Sequence, residues 1–129
     1  MNILLDTHVL LWWFLDSSRL NDETRARLAD PDVEIFVSSV SAWEIAIKLA
    51  LGKLDLPEPL AQYLPERIRR AGLTELPIAI KHAMGVESLP MHHTDPFDRL
   101  LIAQAQSESL AIVTADPLFA KYDVHRIAA

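Results

Sequence analysis

The sequence of 129 residues contains no cysteine, which excludes disulfide bonds and thiolate metal sites. A reducing, cytoplasmic location is the expectation that fits this absence. Long apolar runs are lacking as well. The early run 9–15 is too short to cross a bilayer, and Asp6 interrupts the segment that a signal peptide would need. We therefore expect a soluble protein with no membrane contact.

Basic residues are outnumbered, with 12 Lys and Arg against 18 Asp and Glu and a formal charge of −6. This balance disfavours a generic nucleic-acid binder that works by phosphate neutralisation. If four of the acids held a divalent cation, however, the remaining surface would be almost neutral, so a phosphate substrate stays open. Half of the residues are hydrophobic, and we expect residues 1–129 to form one domain with its own core.

Strand-like and helical patterns alternate along the chain. The strand-like segments are 2–5, 34–37, 73–77, 110–116 and 124–128. The helical segments are 9–15, 22–29, 42–54, 60–72, 78–90 and 97–107. This alternation predicts a three-layer α/β/α sandwich with a mostly parallel central sheet.

Four acids lie where strands give way to helices. Asp6, Glu44 and Asp116 follow predicted strands, and Asp98 begins the helix that runs into the strand at 110–116. In a parallel sheet with right-handed crossovers, all these junctions fall on the carboxyl edge. The topology therefore predicts that the four carboxylates meet at the edge where open α/β sheets bind ligands.

Each acid also has a purely structural interpretation. Asp6 is placed to cap the first helix, and Asp116 to cap a short helix that begins at the following proline. Glu44 is placed to complete a capping box with Ser41 or to pair with Lys48 four residues later. If the four acids were only helix caps, they would have no reason to lie together at one edge of the sheet. A shared cation gives such a reason, because crowded carboxylates raise one another's pKa or recruit a metal.

An oxygen-only ligand set favours Mg²⁺, with Mn²⁺ as a substitute, over zinc. Such a cluster suits phosphodiester hydrolysis, in which a metal activates the attacking water. We therefore take Asp6, Glu44, Asp98 and Asp116 as both catalytic and metal-ligand candidates, with direct contact expected first for Asp6 and Asp98. One ion or two, and the acid that orients the water, stay open.

The segments "ILLDTHVLLWW", "SVSAWEIAIKLALGKL", "DPFDRLLIAQA" and "IVTAD" carry these four acids in order. Together they resemble the PIN-domain family, and within it the VapC-type toxins of type II toxin–antitoxin systems. The resemblance implies a PIN-like fold and a Mg²⁺-dependent endoribonuclease that acts on RNA and is inhibited by a cognate antitoxin. It also implies that Asp98 binds metal, which leaves Asp95 as the helix cap or an outer ligand, and that the Thr114 hydroxyl bonds a carboxylate.

Two histidines and three basic residues also lie near the predicted edge, and their roles are less specific. His92 and His93 are adjacent, so their side chains diverge in an extended loop, and we expect them to be solvated or to face substrate. The remaining basic candidates for contact with RNA phosphates are Lys48, Lys53 and Arg99.

Three consecutive aromatics, Trp12, Trp13 and Phe14, cannot all face one core from a helix. We expect at least one of them to meet RNA bases, a second subunit of a homodimer, or the antitoxin. Two other functions stay open, namely a catalytically silent PIN-like binding module and a Mg²⁺-binding receiver-type signalling domain. A receiver would favour paired acids after the first strand, where this chain has Thr7 and His8.

Overall fold

Short runs of Ile, Leu and Val form a sheet that is buried on both faces. The computed structural model describes residues 1–129 and contains a five-stranded parallel sheet in the order β3-β2-β1-β4-β5. The strands are β1 (Asn2–Leu5), β2 (Glu34–Ser38), β3 (Thr74–Leu76), β4 (Ala111–Thr114) and β5 (Arg126–Ala128). The predicted α/β/α architecture is confirmed, with every strand pair parallel.

Six α-helices and two short 3₁₀ turns connect the strands. The helices are α1 (Thr7–Phe14), α2 (Asp22–Leu28), α3 (Ser39–Ala50), α4 (Leu60–Ala71), α5 (Ile80–Gly85) and α6 (Pro96–Glu108). The 3₁₀ turns are Val86–Ser88 and Pro117–Lys121. None of these helices is long and apolar enough to span a bilayer.

Alternate residues of β1, β2 and β4 point into two separate cores. Ile3 and Leu5 of β1 point into one core, which also receives Leu10 of α1. Leu4 points into the other, which receives Leu101 of α6. The period of two along a strand thus divides the side chains between the layers on either face of the sheet.

The start of α3 differs from the predicted capping box. The helix begins at Ser39, because the Ser38 hydroxyl accepts the backbone N–H of Val40 at 3.0 Å. Ser41 is instead buried inside the first turn and accepts a hydrogen bond from the Thr7 hydroxyl at 2.9 Å. The other predicted elements lie at the expected places, although the segment 78–90 is α-helical only as far as Gly85.

The sheet order creates a crevice between the carboxyl ends of β1 and β4. The chain leaves β1 into α1 on one face, whereas it leaves β4 into a 3₁₀ turn whose Phe119 joins the core of the opposite face. Such a change of direction between neighbouring parallel strands is the usual ligand site of open α/β sheets. Asp6 and Asp116 stand at the two strand ends that border it.

Candidate active site and metal centre

A cavity of about 460 Å³ opens at this edge, and acidic side chains dominate its polar wall. The acids that line it are Asp6, Glu44, Asp95, Asp98 and Asp116. The structure thus brings together all four candidates that are distant in sequence. Lys48 is the only Lys or Arg in the same wall.

Asp6 lies at the centre, directly after the middle strand of the sheet. Its Oδ1 accepts the N–H of Val9 at 2.9 Å and so caps α1, while its Oδ2 accepts the Thr114 hydroxyl at 2.5 Å. Burial raises the pKa of Asp6, and the nearby charge of Glu44 adds to the rise, although both hydrogen bonds oppose it. Asp6 therefore caps α1 and lines the cavity with the same carboxylate.

Asp95 and Asp98 divide their roles at the start of α6. Asp95 is the N-cap, and its Oδ1 accepts the N–H groups of Phe97 at 2.8 Å and of Asp98 at 3.2 Å. The Asp98 side chain has no such partner. Burial raises its pKa to about 7, and the charge of Asp95 contributes further. Asp98 thus faces the other acids without a compensating donor.

The Asp116 carboxylate, unlike that of Asp98, has hydrogen-bond partners on both oxygens. Its Oδ1 accepts the N–H of Leu118 at 2.9 Å, and its Oδ2 lies 2.7 Å from Nε2 of His93. Burial would raise the pKa of Asp116, but the His93 hydrogen bond and the Leu118 N–H outweigh that effect, so the pKa is lowered. Asp116 is therefore ionised when Asp98 still holds a proton.

Glu44 enters the cavity from the second turn of α3. It is buried, and Lys48 lies one turn further along with its Nζ 3.1 Å from a Glu44 carboxylate oxygen. The i,i+4 ion pair expected from the sequence is present, yet both side chains also line the cavity.

Arg99 and Lys53, two of the basic candidates for phosphate contact, do not line the cavity, and the expectation is wrong for Arg99. Arg99 is buried, and its guanidinium donates to the carbonyls of Val86, Leu89 and Pro90, so it braces a loop and does not face the cavity. Lys53 is exposed and absent from the cavity wall.

The two adjacent histidines behave differently from each other. His92 is exposed, as expected, whereas His93 is only 9% exposed and bonds Asp116 and the Tyr122 hydroxyl. The expectation that both are solvated or face substrate is therefore wrong for His93. One nitrogen of His93 and one oxygen each of Asp98 and Asp116 lie within 4.8 Å of one another. The sequence offers only a weak signal for this, a histidine five positions before Asp98.

The expectation that Trp12, Trp13 and Phe14 cannot all face one core is wrong, because all three are partly buried against the core that Leu10 joins. Trp12 also lines the cavity, and the rings of Trp13 and Phe14 stack at 6.0 Å. Phe97 also lines the cavity, and it contacts the 54% exposed Trp43 edge-to-face at 4.9 Å.

The donor set of the cavity fits a hard divalent cation. The acids offer carboxylate oxygens, the ligands that Mg²⁺ and Mn²⁺ prefer. The raised pKa values of Asp6 and Asp98 mean that ionising the cluster costs free energy without a cation. Lys48 supplies a single positive charge, and Glu44 already pairs with it.

A model of the PIN domain family matches residues 3–125, and the chain belongs to that family. Among curated proteins, Ribonuclease VapC22 of Mycobacterium tuberculosis is 32% identical over 117 residues, which cover 88% of this chain and 86% of the relative. Ribonuclease VapC16 of the same organism is 50% identical over 62 residues, but that match spans only 48% of this chain and 43% of the relative.

Among solved structures, VapBC2 from Rickettsia felis bound to a promoter DNA fragment superposes with a TM-score of 0.74. The two chains are 16% identical, and the match covers 100% of this chain and 99% of the other. This likeness establishes the fold. With the family match, it confirms the resemblance that the sequence motifs indicate.

Proposed function

We propose that this chain is a divalent-metal-dependent endoribonuclease and the toxin of a type II toxin–antitoxin pair. The observation that carries the proposal is the single cavity at the crevice between β1 and β4, into which the chain brings four distant carboxylates. The names of VapC16 and VapC22 describe ribonucleases, which supports the same activity here. On this proposal, residues 1–129 form one nuclease domain.

We propose Mg²⁺ as the ion, with Mn²⁺ able to replace it, held by Asp6, Glu44, Asp98 and Asp116. When bound, such an ion lowers the pKa of an attacking water and stabilises the oxygen that leaves. We take Asp6 and Asp98 as the direct ligands, because both line the cavity and burial raises the pKa of both carboxyls, a penalty that a bound cation would offset. The Thr114 hydroxyl holds one Asp6 oxygen and so fixes the direction of the carboxylate.

Several neutral and basic groups of the cavity suit an RNA strand. Lys48 is placed to attract the phosphodiester while it holds Glu44. Trp12 and Phe97 offer aromatic faces at the cavity, and stacking of a base on such a face contributes about 1–3 kcal/mol. Exposed bases stack in this way when the RNA is single-stranded.

The remaining partners are proposals of the same kind. A cognate antitoxin would inhibit the enzyme by covering this acidic cavity, and a second copy of the chain would form a homodimer. Since the proposed substrate is cellular RNA, we propose that the protein acts in the cytoplasm.

The test is cleavage of a single-stranded RNA panel by the purified chain, with Mg²⁺ and with EDTA. We expect cleavage with Mg²⁺, none with EDTA, and restoration by Mg²⁺ or Mn²⁺. Asp98→Asn should abolish cleavage. Asp123→Asn, which removes an exposed acid at the opposite edge of the sheet, should not change it. Full cleavage in EDTA would overturn the metal mechanism, and a folded chain that binds RNA without cutting it would instead support the silent binding module.

A further inference from the structure

His93 is the one buried histidine in contact with the acidic cluster, and both of its ring nitrogens have partners. Nε2 lies 2.7 Å from Asp116 Oδ2, and Nδ1 lies 2.9 Å from the Tyr122 hydroxyl. The rings of Phe119 and Tyr122 pack against the imidazole with centroids 5.0 Å and 5.4 Å away. The histidine is therefore held in one orientation by packing as well as by hydrogen bonds.

The carboxylate of Asp116 also fixes a proton on Nε2 of His93. An ionised carboxylate only accepts hydrogen bonds, so Nε2 must carry the proton that it donates to Asp116. In the neutral imidazole Nδ1 then accepts, and the Tyr122 hydroxyl donates to it. The result is a directed chain from Tyr122 through His93 to Asp116.

We propose that His93 is a positioning residue that orients Asp116 for the divalent ion, and that Tyr122 sets the tautomer of His93 for this task. The inference rests on the proposed metal-dependent function. Groups that bond a metal ligand from behind orient it and tune its basicity, and their loss typically lowers metal affinity about 10–100-fold.

The geometry favours this role over two others. A direct metal ligand needs a ring nitrogen with a free lone pair, but here Nε2 donates to Asp116 and Nδ1 is engaged by the Tyr122 hydroxyl at 2.9 Å. A general base needs an accessible nitrogen as well, and His93 is buried. Without His93, Oδ2 of Asp116 would have no hydrogen-bond donor, since the Leu118 N–H bonds Oδ1.

Four variants separate a positioning role from a structural one. His93→Gln keeps an N–H donor at about the place of Nε2, whereas His93→Leu keeps the volume and removes the donor. Tyr122→Phe removes only the hydroxyl that sets the tautomer. His125→Gln is the matched control, because His125 is exposed and does not line the acidic cavity.

The primary readout is the dissociation constant for Mn²⁺, measured by titration calorimetry on each folded variant at one pH. We expect His93→Leu to weaken Mn²⁺ binding about 10–100-fold and Tyr122→Phe to weaken it to a smaller extent. His93→Gln and the control His125→Gln should each change it by less than about threefold. Electron spin-echo spectroscopy of the Mn²⁺-loaded wild-type protein should show no directly coordinated imidazole nitrogen.

The outcomes that overturn the inference are distinct. If wild type and His93→Leu bind Mn²⁺ equally, His93 does not act on the metal site, although the proposed function stands. A coordinated nitrogen signal that disappears in His93→Leu would make His93 a ligand. If the wild-type chain binds no Mn²⁺, the metal-dependent function fails, and the inference fails with it. If His93→Leu does not fold, the Mn²⁺ affinities of His93→Gln and Tyr122→Phe are compared. Weaker binding by Tyr122→Phe than by His93→Gln supports the inference, and equal binding by the two variants contradicts it.

Discussion

Replacing Asp98 by Asn should stabilise the metal-free protein while it removes activity. Burial beside other acids raises the pKa of Asp98 from 3.8 to about 7. An acid whose pKa is raised on folding binds its proton more tightly in the native state. The contribution of Asp98 to the free energy of unfolding therefore falls as the pH rises from 3.8 to about 7, and then levels off.

The size of this effect follows from linkage. A difference of this size in pKa corresponds to about 4 kcal/mol at most. Because the Asp98 side chain is only half-buried, screening by water reduces the penalty to about 1–2 kcal/mol. The Asn side chain carries no charge, so Asp98→Asn should be more stable than wild type by this amount at pH 8, which corresponds to a rise in Tm of about 4–8 °C.

The assay is urea unfolding followed by circular dichroism in EDTA, at pH 5 and at pH 8. The advantage of Asp98→Asn should be largest at pH 8 and should shrink at pH 5, while Asp123→Asn should follow wild type at both. Adding Mg²⁺ should stabilise the wild-type protein but not Asp98→Asn, because only the native site binds the ion. A loss of about 1 kcal/mol or more on Asp98→Asn at pH 8 in EDTA, about the contribution of one hydrogen bond, would show that the Asp98 carboxylate stabilises the fold and is a structural residue.

Three other changes have distinct expected results. The Mn²⁺ affinity of the wild-type protein should rise about tenfold per pH unit below pH ~7 and level off above it, because Asp98 must lose its proton to bind; a flat calorimetric profile would contradict this. Thr114→Val removes the donor to Asp6 and should cost about 1–2 kcal/mol in urea unfolding and shift Mn²⁺ binding to higher pH. Arg99→Met leaves the carbonyls of Leu89 and Pro90 without their donor and should cost about 2–4 kcal/mol of stability, yet leave Mn²⁺ affinity within threefold of wild type (a difference of about 0.7 kcal/mol).

Much of the fold could be predicted from local patterns because strands and helices alternate with clear periods. The sequence also predicts that Asp95 caps α6 while Asp98 faces the cavity. Asp95 precedes Pro96, which has no N–H, so it is a natural cap, and Asp98 is left over. Convergence of the acids needs only the parallel topology, which places every strand-to-helix junction at one edge.

The errors arise where distant residues decide the local structure. Ser38 and Ser41 are both plausible caps, and the choice depends on the Thr7 hydroxyl, which engages Ser41 from α1. His92 and His93 look alike in sequence, but only His93 has Tyr122 as a hydrogen-bond partner 29 residues later. Local patterns carry no information about such partners.

The most direct test of the shared acidic site is a crystal of the wild-type chain soaked in Mn²⁺ and measured at an anomalous wavelength. We expect an anomalous peak inside the cavity, bonded to carboxylate oxygens of at least two of Asp6, Glu44, Asp98 and Asp116, and absent from Asp98→Asn crystals soaked in the same way. A cavity without a peak, or an equal peak in the Asp98→Asn crystal, would contradict it.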